Sequence, residues 1–389
     1  MPFSSRLFKS LKTIGIISIL IHCMNAEAGS NEAKLPYPVS TSTLEFVGLV
    51  AGISRIAWLD NDRVLVPAVE VEKHKDSSGK EIYTASPFGL YIWDVKKNTT
   101  TRYATLGPID SYLFQYDHGN IAYSLEKHEY GVVDAMIGKM GEEKPMTIDR
   151  GHGGILPELE PSMGPGLRFL HDPENHSLVT AIYALMPDDG YIQGVKGKPG
   201  NVYWPDETNE NDPVYLSHGE GSKPIALPIF AKELSGANFA YSDYLKKYTL
   251  IPSMAKNKRL ADPNWNLRGT NDPYPYYLIS SNGQVEAGEI PPGYWSPAEV
   301  FPSSQGIFWV SNNLDKHGIA WATLHKDDIY QDAGGFLLKD DKVIKLFDRR
   351  VRGASVSPDG CTIAYAAEQP DHIPNYLKAI NLCAVQERK

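Results

Sequence analysis

Ser357-Pro358-Asp359-Gly360-Cys361-Thr362-Ile363-Ala364-Tyr365-Ala366-Ala367 is the stretch whose reading decides the fold. Its first four residues form a turn. Pro358 presets φ at the second position, and Gly360 tolerates the backbone that the fourth requires. The run from Cys361 to Ala367 then reads as a buried strand.

The same turn-then-strand word recurs in weaker form along the chain. Asp60-Asn61-Asp62 precedes Arg63 to Ala68, and Asp117-His118-Gly119-Asn120 precedes Ile121-Ala122-Tyr123. His171 to Asn175 precedes Leu178 to Tyr183, and Tyr241 to Lys247 precedes Tyr248 to Ile251. Pro302 to Gly306 precedes Ile307 to Val310. Anchored at Asp60, Asp117, Asp172, Asp243, Ser303 and Asp359, the copies are spaced 57, 55, 71, 60 and 56 residues apart. Propeller blades repeat every ~40–50 residues, and longer loops stretch that period. One such unit cannot bury both faces of its sheet, so neighbours must stack around a ring.

Within the units further strands are legible. Ile53–Leu59, Arg63–Ala68, Gly89–Val95 and Thr99–Ala104 read as a first four-stranded meander, with a polar loop over Lys73–Glu81. Gly131–Ile137 fits the second unit; Pro213–Ser217 and Lys223–Leu227 fit the third. Tyr276–Ser280 and Gln284–Ala287 fit the fourth; Gly335–Lys339 and Lys342–Leu346 fit the fifth. The last unit shows only three strands, and the run Thr43–Leu49 is expected to complete it and hide both sheet edges. The expectation is an all-β, six-bladed β-propeller over residues 41–389, its last blade closed by the N-terminal strand. A degenerate blade in the third unit would make seven.

The word from Ser357 to Tyr365 resembles the TolB-like, WD40-like propeller repeat. The resemblance implies a propeller of about six blades. Members of that repeat family serve as protein-binding scaffolds or as gating domains attached to serine peptidases. No Gly-x-Ser-x-Gly elbow is present in this sequence.

Residues 1–28 read as a secretory signal. Arg6, Lys9 and Lys12 precede an apolar run, Ile14 to Ile21, too short to span a bilayer, and Ala26-Glu27-Ala28 offers a cleavage site. The competing reading is a lipoprotein anchored at Cys23, disfavoured by the bulky His22 before it. Residues 29–40 read as a loose leader. Periplasmic or secreted placement follows.

The formal charge is −9, and about −11 once Arg6, Lys9, Lys12 and Glu27 are removed. Such a surface argues against nucleic acid and against an anionic membrane. No later run is long and apolar enough to cross a membrane.

Cleavage would leave Cys361 and Cys383, an even pair in an exported chain, which favours a disulfide. Folding the hairpin between their strands sets Cys361 opposite Leu382 or Cys383, within bridging range. Such a bridge would contribute about 3 kcal/mol in the chain-entropy account. The bland reading is two buried thiols.

Candidate chemistry is sparse. The segment from Met186 to Asp212 is the longest insertion, and its Tyr191, Tyr203, Trp204, Asp206 and Asp212 form a candidate recognition loop. Its acidic run, Asp206 to Asp212, leaves calcium open as a cofactor, but it lacks the turn glycine and the spaced glutamate of a calcium loop, which favours a solvated surface. Gly151-His152-Gly153-Gly154 resembles an oxyanion loop without a nucleophile, so a plain loop is favoured. His171 and His176 lack companion zinc ligands and read as surface histidines. Tyr274, Tyr276, Tyr277, Tyr294 and Trp295 could stack a sugar, though aromatic residues in blades more often pack between sheets. No residue is assigned a catalytic role. The leading reading is a non-catalytic, exported binding scaffold for a protein partner in the envelope, with a small ligand as the lesser option. The rival is a channel-mouth enzyme of lactonase or lyase type holding a metal.

Overall fold

Apolar residues on both faces of the strands dictate how this chain packs. The computed structural model describes residues 36–49, 56–106, 114–127, 132–149, 167–171, 179–184, 213–218, 223–230, 238–251, 273–292, 300–311, 334–348, 351–367 and 375–384. The described residues form 24 strands in five antiparallel sheets.

The long first strand, β1 (Val39–Leu49), stands apart from the meanders. The first unit is β2 (Ala57–Trp58), β3 (Arg63–Lys75), β4 (Glu81–Asp94) and β5 (Thr99–Thr105). The second is β6 (Phe114–Asp117), β7 (Asn120–Lys127), β8 (Val132–Lys139) and β9 (Lys144–Asp149). The third is β10 (Leu167–His171), β11 (Val179–Ala184), β12 (Pro213–Ser217) and β13 (Ile225–Phe230). The fourth is β14 (Asn238–Ser242), β15 (Lys247–Ile251), β16 (Tyr274–Ile279) and β17 (Val285–Ile290). The fifth is β18 (Val300–Ser303), β19 (Gly306–Ser311), β20 (Gly334–Lys339) and β21 (Lys342–Asp348). The sixth is β22 (Val351–Val356), β23 (Thr362–Ala367) and β24 (Asn375–Asn381).

The tight turns follow from their residues. His118 and Gly119 both have positive φ, as do Asp340 and Asp341. Two such residues between paired strands match the right-handed twist of a hairpin. Asp and His tolerate this backbone where β-branched residues do not.

Successive side chains on each strand feed opposite junctions. On β23, Ala364 and Ala366 face the first unit, while Ile363 and Tyr365 face the fifth. On β19, Phe308 and Val310 face the sixth unit, while Trp309 faces the fourth. Tyr248 and Leu250 of β15 pack on Val214 and Leu216 of β12. Leu65, Leu90, Phe114 and Ile121 join units one and two. Face-to-face packing thus runs through units three, four, five, six, one and two.

β1 links the two ends of that series. Its first half pairs with β24, from Val39 opposite Ile380 to Phe46 opposite Asn375. Its second half pairs with β3, where Phe46, Gly48 and Leu49 lie opposite Glu70, Val69 and Ala68. The last and first units therefore share one eight-stranded sheet. The N-terminal strand completes the last meander and also bonds the first, which the sequence pattern did not indicate.

Three expectations change. Lys73–Glu81 is not a polar loop: β3 and β4 pair out to Lys75 opposite Glu81, leaving only Asp76–Lys80 as the turn. Asp76 Oδ1 fixes that tip by accepting from the Ser78 and Lys80 backbone N–H groups. The leader is not loose to Ser40, because β1 begins at Val39 and Tyr37 is buried against the fifth and sixth units. Of the strand expected over Ile53–Leu59, only Ala57–Trp58 is a described strand, since residues 50–55 lie outside the described set. The signal segment 1–28 also lies outside it.

Phe308 is fully buried between units five and six, with the Phe301 and Phe347 rings 5.5 and 6.2 Å away. Replacing it leaves a cavity that two sheets cannot both collapse into. Phe308→Ala is expected to cost about 3–5 kcal/mol, read as a lower urea midpoint with an unchanged slope.

Candidate functional site: a junction of turns

In an antiparallel meander the connections alternate between the two ends of the sheet. First-to-second and third-to-fourth turns lie at one end; second-to-third connections and the passages between units lie at the other. At the first end the connections are no longer than seven residues. At the other end the β3–β4 ribbon projects with Glu72, Lys73, His74 and Lys75 exposed. Lys73 Nζ lies 2.6 Å from Glu45, which also accepts from the Tyr376 hydroxyl at 2.9 Å, so the ribbon's base is tied to β1 and β24. The Lys73 hydrogen bond holds the Glu45 carboxyl below its ordinary range, against a smaller opposing effect of burial.

The short first turns interlock. In the last unit, Gly360 N–H closes the turn on Ser357 O at 2.8 Å, with Gly360 at φ +75°. Asp359 Oδ1 accepts from the Ser357 hydroxyl and from Cys361 N–H, and Ser357 Oγ accepts from Thr362 N–H. That rigid turn is gripped from three sides. Asp359 N–H donates to Asn61 Oδ1 of the first unit at 3.0 Å. Gly360 O accepts from both the N–H and the hydroxyl of Ser304 in the fifth unit, at 3.0 and 3.1 Å. The Tyr244 ring of the fourth unit covers Gly360 so closely that a Cβ there would sit 2.6 Å from it.

A second contact skips a unit. His118 of the second unit lies 3.3 Å from Asp243 of the fourth, and its ring meets Tyr241 edge-on at 5.4 Å. Burial raises the Asp243 carboxyl, but the hydrogen bond and charge of His118, aided by Lys246, outweigh it and leave the group below its ordinary value. Units two and four, and units four and six, thus touch at their turns although another unit lies between each pair. The turn end is knitted together by hydrogen bonds and ring contacts.

Sequence reading missed this junction, although the signal was present. Asn61, His118, Tyr244, Ser304 and Gly360 each stand one residue after the anchor of their repeat copy. The copies vary in residue type at that position, so no shared residue marks it. Cys361 and Cys383 also meet here, at disulfide distance with Cα atoms 5.3 Å apart. Cys361 O accepts from Leu382 N–H at 2.7 Å.

Tyr191, Tyr203, Trp204, Asp206 and Asp212 lie outside the described residues, as do Gly151–Gly154, His176, Tyr294 and Trp295. His171 ends β10. Tyr274 and Tyr276 are buried between units four and five, and Tyr277 packs toward unit three, so these three serve sheet packing. Among the described residues, no group of three or more His, Cys, Asp or Glu side chains is placed to hold a metal. No described helix is long and apolar enough to cross a membrane.

Gly360→Ala is expected to cost about 2 kcal/mol for the left-handed backbone alone, with more from displacing Tyr244 or the Ser304 backbone; the readout is thermal unfolding. Asp243 has a lowered folded-state pKa, so its contribution is present above about pH 3.9 and is lost as pH falls through the folded value. Asp243→Asn should flatten the acid limb of stability against pH. The change near neutrality should stay under about 1 kcal/mol, since the carboxylate is partly exposed.

No family model matches the sequence, and no curated protein matches it. Solved structures similar to it include TolB from Acinetobacter baumannii, 10% identical over 90% of this chain and 81% of that one, with a TM-score of 0.35. The β-propeller domain of the Trilobed protease from Pyrococcus furiosus is 8% identical over 86% of this chain and 100% of that one, TM-score 0.41. An uncharacterised protein from Listeria monocytogenes is 10% identical over 83% and 90%, TM-score 0.41. The strand order and the face-to-face packing of four-stranded antiparallel sheets are those of stacked propeller-type blades.

Proposed function

We propose that the six units close into a six-bladed ring, with β1 completing the last blade, and that the chain is an exported, non-catalytic scaffold for a protein partner in the cell envelope. Ring closure is supported by the unbroken packing series from unit three to unit two, which leaves only those two units to meet. The contact of His118 with Asp243, reaching past unit three, fits the same curvature. Export is supported by the apolar run Ile14 to Ile21 after a basic start, and by the pairing of Cys361 with Cys383.

The observation that carries the binding reading is the asymmetry of the two ends. One end is short turns engaged with each other; at the other the β3–β4 ribbon projects with Glu72 to Lys75 exposed. Recognition by loops mounted on a rigid sheet scaffold is the physical logic of such an arrangement. The partner would engage that loop-bearing end, with Tyr191, Tyr203 and Trp204 among the contacts.

The test is native mass spectrometry of the tagged protein purified from its own cells. A polypeptide at fixed stoichiometry, lost when 187–211 is replaced by a Gly-Ser linker while melting is unchanged, is the expected result. A bare chain overturns the scaffold reading. A chain carrying calcium or another metal, with no polypeptide, overturns it in favour of a metal-dependent enzyme at the ring mouth.

A further inference from the structure

Cys361 and Cys383 sit where four units meet, and their sulfur atoms are wired into that junction. The Ser304 hydroxyl lies 3.1 Å from Cys383 Sγ and 3.8 Å from Cys361 Sγ, while the same hydroxyl donates to Gly360 O. Cys361 N–H is bound to Asp359 Oδ1, and Asp359 N–H is bound to Asn61. On the other strand, Cys383 N–H donates to Asn381 Oδ1, and Asn381 N–H donates to Pro38 O just before β1. The bridge therefore joins the turn of the last unit to the end of β24 and, through Ser304, to the fifth unit.

We propose that Cys361–Cys383 is a reducible clasp that sets how tightly this turn junction is held. When oxidised, it fixes Cys383 beside Ser304 and holds the Gly360 turn against Ser304, Tyr244 and Asn61. When reduced, the junction loosens locally while the sheets persist. They persist because the strands on either side are secured independently of sulfur. β23 and β24 pair from Thr362 opposite Asn381 to Ala366 opposite Leu377. Ile363, Ile380 and Leu382 are fully buried.

The chemistry is thiol–disulfide exchange with a dithiol. Cys383 is exposed and Cys361 half-buried, so Cys383 is the open side for attack. One thiolate of the dithiol bonds to Cys383 sulfur and Cys361 leaves as thiolate. The second thiol of the reductant then attacks the mixed disulfide and releases Cys383. Two electrons and two protons pass to the protein, and the reductant closes to its own disulfide. The clasp would thus report the dithiol poise of the compartment on the turn end, independently of whichever partner engages the loop end.

The test is hydrogen–deuterium exchange on the whole protein, oxidised and after dithiothreitol, with peptide mapping to confirm the state of the Cys361–Cys383 cross-link. Reduction should speed exchange at the Ser304, Asp359, Gly360 and Cys361 amides at least tenfold. The Gly79 and Gly283 amides, which close turns away from the bridge, should not change. The double variant C361S/C383S should show the reduced pattern with and without dithiothreitol. Unchanged exchange in fully reduced protein overturns the proposal. Loss of protection throughout the sheets also overturns it, because the bridge would then be a staple for the whole fold. Two free thiols in protein kept under oxidising conditions overturn it as well.

Discussion

The sheets of units four, five, six and one each bury two faces, and the rest of the structure follows from that constraint. A four-stranded sheet with one apolar face can rest on a single neighbour and show water the other. These strands place apolar residues on both sides, as β23 does with Ile363 and Tyr365 on one face and Ala364 and Ala366 on the other. Each of these sheets lies between two others. The small alanines of β23 and β24 leave room for Trp58, Trp93 and Phe46 across the gap, so large and small side chains interdigitate. Surface on this scale, at ~25 cal/mol per Å², outweighs any single hydrogen bond in the turns. The turns decide how the sheets are set against one another, and the burial decides that they pack at all.

What was legible in the sequence divides along the same line. The second and third strands of most units read clearly, because they are central, apolar and bounded by turn residues such as Asp340-Asp341 and Ser281-Asn282-Gly283. The inner strands did not. β6, β14, β18 and β22 run for four to six residues, and two of them end in the residues that form the turn itself, Ser242 and Ser303. Short strands of that kind carry too little pattern to separate from a loop. The β3–β4 ribbon was misread for the opposite reason. Its Glu72, Lys73, His74 and Lys75 are polar on both faces because the ribbon stands in solvent, yet the backbone pairing continues past the point where burial stops.

The candidate site was the least legible part. Sequence inspection looks for groups of reactive types at fixed spacing. The junction uses Asn61, His118, Tyr244, Ser304 and Gly360, five different residues in five copies of one repeat. Their relation is positional: each stands one residue after the anchor of its copy. Gly360 is required because Tyr244 leaves no room for a side chain, and Ser304 because its hydroxyl can meet both a carbonyl and a sulfur. Such a group becomes visible only when the copies are superposed in register.

The shared strand β1 has a consequence for synthesis. Val39 pairs with Ile380, so residues made near the beginning must wait for residues made near the end. Until β24 exists, β1 has only the short pairing with β3 to hold it, and the edges of the first and last sheets stay open. Contacts of such long sequence separation form late and slowly. A nascent chain of this kind is most vulnerable to aggregation before β24 emerges, when five units are formed and the β1–β24 pairing is missing. Its assembly therefore resembles fastening a belt, in which β24 secures a strand made long before it.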